Sequence, residues 1–283
     1  ASGDLGSSLQ SPWSRQAITM SLAAEQRKSS SAIAADEGVQ SGDLAGAGGA
    51  TPNRKGAFTM KEMAMEMNVP LVRDAFMVRN LGLELGYRTT DFSTSAQSRN
   101  YNSYKYGGEW EPVKSFRVRG MTQLATRAPN IFELFSPATT GLSNLAKDPC
   151  QGNSINAAEA NTSGTLSNLC RLTGVPVGSI GTVAQPSAGQ INRLTSGNPN
   201  LAPEQAKNKT LGFVIEPVAK MAISLDYYQI YITQAITQPS VTDILDGCYD
   251  PKFNPTYALN SYCAAVGRNI NNGTLNGPAS ESK

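Results

Sequence analysis

Along much of this chain apolar and polar residues alternate one by one, and a period of two fits a strand and not a helix, whose period is 3.6. Ile18, Met20 and Leu22 alternate with Thr19, Ser21 and Ala23. Met63, Met65, Met67 and Val69 alternate with Ala64, Glu66 and Asn68, and Leu81, Leu83, Leu85 and Tyr87 with Gly82, Glu84, Gly86 and Arg88. Tyr104, Tyr106 and Trp110 face away from Ser103, Lys105 and Glu109, and Phe116 and Val118 from Arg117 and Arg119. Leu211, Phe213 and Ile215, then Ile223, Leu225 and Tyr227, repeat the pattern. The period predicts an all-β chain of about eight antiparallel strands, each with one apolar face. It does not say what covers that face. A soluble sandwich turns it inward onto a second sheet, whereas an outer-membrane barrel turns it outward to lipid.

Connection lengths separate the two. Short links, Glu111–Ser115 and Glu216–Ala222, both contain Glu-Pro-Val and join neighbouring strands at one end. The links at the other end are long, at 29–56, 128–206 and 238–283, and such lengths are uncommon inside compact soluble domains. Short turns on one side and long loops on the other is the pattern of a membrane barrel, with the long loops outside the cell. Trp13 and Trp110 lie beside short-turn ends, where an aromatic girdle belongs. With Trp110 opposite Phe116, the register places Glu109 opposite Arg117 and predicts an ion pair between them.

Composition narrows the function. The chain has no histidine, which excludes Ser-His-Asp and Cys-His catalysis, an imidazole base and a His-ligated zinc site. A glycosidase-like carboxylate pair needs no histidine, but no two acidic residues are singled out by their setting. Charged residues are 16% of the chain, against roughly 25% in ordinary soluble domains. The net charge of +2 gives no field for nucleic acid, and the basic residues are scattered. No stretch is apolar for long enough to form a membrane-spanning helix, and the start lacks the features of a signal peptide. The chain therefore reads as beginning inside a longer polypeptide or after processing. No cofactor or metal is expected: the Gly-rich run Ala45–Ala50 lacks the Lys-Ser/Thr of a phosphate loop, and Met63, Met65 and Met67 sit at the strand period of a packing surface.

Four cysteines form two close pairs in polar sequence, Cys150 with Cys170 and Cys248 with Cys263, and no CxxC is present. They are expected as two disulfides made in an oxidising compartment, each worth about 3 kcal/mol on the chain-entropy model.

Two stretches go beyond pattern. The first, Thr126 to Pro137, contains Arg127, Ala128, Pro129, Asn130, Glu133, Leu134 and Phe135 and is followed by Asp148-Pro149-Cys150. The second contains Gly197, Asn198, Pro199, Pro203 and Glu204 and leads into Thr210–Phe213 and Ser224–Ile230. In order and separation, with a two-cysteine loop between, they resemble the C-terminal barrel region of TonB-dependent outer-membrane receptors. Ser41–Gly46, Pro70–Val72 and Leu83–Ser93 fit the same family. The resemblance implies active import of a scarce solute, a siderophore-metal complex or an oligosaccharide, across the outer membrane, with no enzymatic step. It implies TonB and its inner-membrane energising complex as partners, outer-membrane lipid around the barrel, and no nucleic acid. Family barrels have about 22 strands around a plug. The chain reads as a middle-to-late slice of one, without plug or TonB-contacting segment, ending in a polar run, Gly277–Lys283. The alternative is a secreted or surface β-rich binding domain without transport activity.

On this reading the polar face lines a lumen. Arg117, Arg119 and Arg127 share that face, with Lys105 on the neighbouring strand, and are the candidate contacts for an anionic or hydroxyl-rich solute. The plainer expectation is that they pair with Glu109, Glu84, Asp226 or plug residues, and that Arg127 braces the base of the long loop. Tyr227 and Tyr231 continue the parity of Ile223 and Leu225 and are expected to face lipid.

Overall fold

The computed structural model describes residues 1–6, 9–43 and 49–276. Leu44, Ala45 and Gly46 of the Ser41–Gly46 stretch, and the polar run Gly277–Lys283, lie outside the described residues. The chain divides into two units.

The first unit, residues 1–33, 54–136 and 197–236, is one antiparallel sheet of eight strands. In chain order these are β1 (Ser2–Asp4), β2 (Thr19–Ile33), β3 (Arg54–Ala75), β4 (Val78–Thr94), β5 (Ser98–Val113) and β6 (Phe116–Arg127). After β7 (Thr139–Asn144) and β8 (Gln190–Thr195), which belong to the second unit, come β9 (Glu204–Ile215) and β10 (Ile223–Thr233). Each strand pairs with its neighbours in the order β1-β2-β3-β4-β5-β6-β9-β10, and the sheet does not close on itself. The fold is therefore an open part of an antiparallel barrel. No helix is long and apolar enough to cross a membrane, among the described residues.

Strand lengths exceed the sequence expectation because pairing continues past the apolar segment. β3 spans 22 residues, although only Met63–Val69 alternates clearly. Two bulges interrupt the ladder, between Pro70 and Val72 and between Trp110 and Val113, each containing or beside a proline that cannot donate to it. The second bulge corrects the predicted register. β5 runs on through Glu-Pro-Val to Val113, which pairs with Phe116, so the turn is only Lys114-Ser115. Glu109 consequently faces Arg119 and not Arg117, and the expected Glu109–Arg117 pair does not form. Glu109 instead accepts a hydrogen bond from the Asn80 amide. One end of the sheet carries the tight turns Phe76-Met77 and Lys114-Ser115 and the 216–222 link. The other end carries the long connections and one short exception, where the Thr94 amide bonds the Gln97 carbonyl between β4 and β5.

Outside the strands, α2 (Ile131–Phe135) follows α1 (Glu37–Ser41) in the chain and belongs to the first unit. Asn130 caps it: its side chain accepts from the amides of Phe132 and Glu133 at 2.9 Å each, and Glu133 accepts in return from the Asn130 amide at 2.7 Å. Leu134 and Phe135 are buried with Phe58, Met60, Phe92, Tyr101 and Leu201. Register places Phe58, Met60 and Phe92 on the face that elsewhere carries the charges, so α2 closes an apolar cluster at the loop end of the polar face. Gly56 makes this possible, because any Cβ there would overlap the Phe135 ring.

The second unit, residues 34–53, 137–196 and 237–283, contains α1, the antiparallel pair β7 and β8, α3 (Leu166–Leu172) and α4 (Val241–Tyr249). Leu169, Val175, Ile191, Leu245 and Tyr249 share one core with all four cysteines, so separate loops build a common interior.

Candidate functional site

The sheet presents two chemically opposite faces. Cross-strand partners share a face, so one row reads Val69, Leu83, Gly108, Gly120, Leu211 and Tyr227 across six strands. The next row towards the turns reads Leu81, Trp110, Val118, Phe213 and Leu225. This face is uncovered: Met63, Leu225, Tyr227 and Tyr231 are 68, 69, 66 and 63% exposed. An apolar surface of that extent is not left to water. From Ile223 to Tyr231 the strand advances eight steps, or about 26 Å at ~3.3 Å per residue, which at a barrel's tilt of 35–45° is about 20 Å of the roughly 25 Å lipid-facing band. Trp13 is exposed at the tight-turn end, its carbonyl accepting from the Arg73 amide at 3.2 Å, and the Trp110 indole donates to the Met77 carbonyl at 3.2 Å.

The opposite face carries three groups of paired charges on β3 to β10. Lys105 donates to Glu84 at 2.6 Å and lies 3.4 Å from Glu66. Arg119 donates to Asp226 at 2.8 Å, and the Ser224 hydroxyl donates to the same carboxylate at 2.8 Å. Arg127 donates to both carboxylate oxygens of Glu133, at 3.1 and 3.2 Å, and lies 3.5 Å from Glu204. Four residues of β6 separate Arg119 from the level of Lys105, and four more lead to Arg127, so consecutive cations are about 13 Å apart along the strand. They do not converge on one ligand-sized point. Arg117 stands on the same face, exposed and without an ion pair among the described residues, and so does Arg88, which sequence reasoning did not select.

The family-like motifs converge instead on the base of the long loop. Arg127 is held by Glu133 of α2 and faces Glu204, which also accepts from the Ile236 amide at 3.0 Å. Ala128 packs against the cluster that holds Leu134 and Phe135, and Pro129 is fully buried. The Gly197 amide donates to the Ser136 carbonyl at 3.0 Å, and the Asn198 amide to the Glu133 carbonyl at 2.8 Å. A Cβ on Gly197 would stand 2.6 Å from the Ser136 nitrogen, so only glycine lets the returning chain pass. Gln97 then donates to the carbonyls of Pro199 and Leu201 at 2.8 and 3.0 Å. Pro203 is buried just before Glu204 opens β9. These residues fix where the loop leaves and rejoins the sheet.

Within the second unit Cys150–Cys170 and Cys248–Cys263 are closed disulfides, and no free cysteine remains. Beside them lies a pair that sequence reasoning missed. Arg268 is fully buried and forms two parallel bonds of 2.8 Å to Asp148, a third of 2.8 Å to the Gly273 carbonyl, and one of 3.3 Å to the Tyr249 hydroxyl. The Tyr249 hydroxyl in turn donates a hydrogen bond to the Thr173 hydroxyl at 2.7 Å. Burial alone would lower the guanidinium pKa, but the hydrogen bonds and charge of Asp148 outweigh it and raise it, so the group stays charged. Asp148 adjoins Pro149-Cys150, the only sequence signal for this network; nothing local marked Arg268. No group of His, Cys, Asp and Glu that could hold a metal ion occurs among the described residues.

The family model described as TonB dependent receptor-like, beta-barrel, matches residues 65–277. No curated protein and no solved structure matches. The match begins in β3 and takes in the whole ladder from there, both motifs and both disulfides, and the exposed apolar face is the one such a barrel turns to lipid. The chain belongs to the TonB-dependent receptor-like β-barrel family, whose members are outer-membrane receptors and transporters rather than enzymes.

Proposed function

We propose that this chain is the middle-to-late barrel portion of an outer-membrane receptor that imports a scarce solute, a siderophore-metal complex or an oligosaccharide, with energy delivered by TonB and its inner-membrane complex. The observation that carries the reading is a single open sheet with a lipid-compatible face on one side and a charged, hydrogen-bonding face on the other, in a chain the family model matches. An open sheet leaves unpaired backbone at β1 and β10, which a bilayer does not tolerate, so the working form needs further strands. The long loops and the charged face then receive the solute, and no bond is made or broken.

The pairing on that face redistributes the roles expected of its cations. Lys105, Arg119 and Arg127 already hold carboxylates and act as cross-strand and loop-base braces. Arg88 and Arg117 are the residues proposed to meet an anionic solute, each at its own point on the face, since their levels lie about 26 Å apart along the strands. The experiment is solute binding and uptake by the intact receptor in the outer membrane. Arg88→Ala with Arg117→Ala should raise the solute Kd at least about ten-fold, since even one lost charge-assisted contact is worth roughly 1.5–3 kcal/mol. Lys105→Gln should leave the affinity within about two-fold, consistent with an exposed pair worth at most ~1 kcal/mol. Unchanged uptake in the double arginine variant would remove the binding role. Extraction separates transport from a soluble binding domain: a barrel requires detergent and shows heat-modifiable gel mobility, whereas release by osmotic shock alone would contradict the proposal.

A further inference from the structure

The charged face is not evenly filled. Ala64 on β3 and Ser103 on β5 stand directly opposite Arg88 on β4, and the Thr126 amide donates to the Ser103 hydroxyl at 3.2 Å, which brings the neighbouring Ala125 of β6 to the same level. Two residues nearer the turns, Gly86 lies between Glu66 and Lys105, and Lys105 faces Gln123. The short side chains at Ala64, Ser103 and Ala125, with none at Gly86, leave a cavity of about 230 Å³ walled by Arg88, Lys105 and Gln123. Cavities for drug-sized ligands run from about 300 Å³ upwards, so this one takes a smaller unit.

Its groups are unequally committed. Lys105 is held by Glu84 and Glu66, and the same contact neutralises Glu66, the acid on this wall. Arg88 makes no ion pair or side-chain hydrogen bond among the described residues, and the Gln123 side chain makes no hydrogen bond among them. The Ser103 hydroxyl accepts from an amide, so its own proton remains to donate. The cavity thus offers one uncommitted positive charge and several neutral hydrogen-bonding groups. Arg119 and Arg127 stand at other levels of the face and already hold acids of the chain. A polyanionic chelate needs several cations at one point, and a neutral sugar leaves the guanidinium unmatched. A hydroxylated ring with a single carboxylate matches the groups present.

We propose that this cavity binds one uronate unit of an acidic oligosaccharide. The Arg88 fork takes both carboxylate oxygens, the Ser103 hydroxyl and the Gln123 amide bond ring hydroxyls, Glu66 accepts from another, and the ring lies over Ala64, Gly86 and Ala125. The site rests on the import reading and, of its two solute classes, selects the saccharide over the metal chelate.

The test is isothermal titration calorimetry of the intact receptor in detergent, with tetragalacturonate, its methyl ester and ferric citrate as probes. The wild type should bind the acid at least about ten-fold more tightly than the ester, the worth of one charge-assisted contact. Arg88→Ala should abolish that difference without changing the affinity for the ester, and Arg88→Lys should restore part of it. Ala125→Leu removes no donor but fills the floor, and should weaken acid and ester by the same factor. Equal affinity of the wild type for acid and ester, or an affinity for the acid indifferent to Arg88→Ala and Ala125→Leu, overturns the site. Tighter binding of ferric citrate than of tetragalacturonate, lost in Arg88→Ala, overturns the choice of saccharide. Heat-modifiable mobility is read on the same samples. With it present, a failed saccharide titration sinks this site alone, whereas its absence in the wild type sinks the barrel and import reading and the site together.

Discussion

In the sheet, Leu225, Tyr227 and Tyr231 stand more than 60% exposed, whereas in the second unit Leu169, Val175, Cys170 and Cys248 are almost fully buried. The same chain thus treats apolar side chains in opposite ways. The sheet leaves its apolar face uncovered, as a barrel of this family does towards lipid, and satisfies the backbone of its inner strands through their neighbours. The part of the second unit made from residues 137–196 and 237–276 has an interior of its own, two disulfides and a buried ion pair, the means by which small modules in oxidising surroundings hold their shape. The charges follow the same division. On the sheet they form exposed pairs such as Lys105–Glu84, while Asp148–Arg268 has no access to water.

Substitutions that break one region and spare the other sharpen this contrast. The largest effect is expected from Asp148→Asn. It leaves the Arg268 charge buried without its carboxylate, and loss of one partner from such a pair costs about 3–5 kcal/mol. Hydrogen exchange should show fast amide exchange through 237–276, with β3 to β6 still protected; uniform loss of protection would mean the two units are not independently stable. Next comes Leu83→Arg in the middle row of the apolar face, which should destabilise the membrane-inserted barrel by about 2–4 kcal/mol. Glu84→Gln, one residue away on the other face, should change folding in lipid by less than ~1 kcal/mol. Equal costs for the two would contradict the assignment of faces. A smaller loss, about 1–3 kcal/mol, is expected for Gly56→Val, because the new side chain displaces the Phe135 ring and loosens α2 from β3. Thermal unfolding in detergent measures it, and Phe135→Ala in the same chain should relieve part of the clash.

The smallest effect concerns pH. Ser240, through its hydroxyl and its amide, holds the Asp243 carboxyl below its ordinary value of 3.8 at the start of α4. A depressed carboxylate pKa contributes stability that is complete above the unfolded-state value and is lost as pH falls through the lower folded value. Amide exchange in the first turn of α4 should therefore rise only below about pH 4. A rise already at pH 5 to 6 would point to another group.

Strand identity and facing were legible because both are local. Ile223, Leu225 and Tyr227 needed no partner to declare a common side, and the Glu216–Ala222 link showed which strands adjoin. Register was less legible: a bulge of the kind found at Pro112 shifts every later pair, which moved Glu109 from Arg117 to Arg119. The first motif revealed where the loop begins, but its job is structural. Arg127 is committed to Glu133, and Arg88 and Arg117, which make no ion pair among the described residues, belong to no motif.

By itself the sequence determined an all-β chain with two opposed faces, paired cysteines and no imidazole chemistry, since alternation, cysteine spacing and residue absence are properties of the chain before it folds. The tertiary structure decided what depends on distant residues meeting. Phe135 finds its place because Gly56 lacks a side chain, and Asp148 meets Arg268 across 120 positions in a core that separate loops share. Contacts of that separation leave no periodic trace in the sequence, because what fixes them is the shape of a folded interior, not the order of neighbours along the chain.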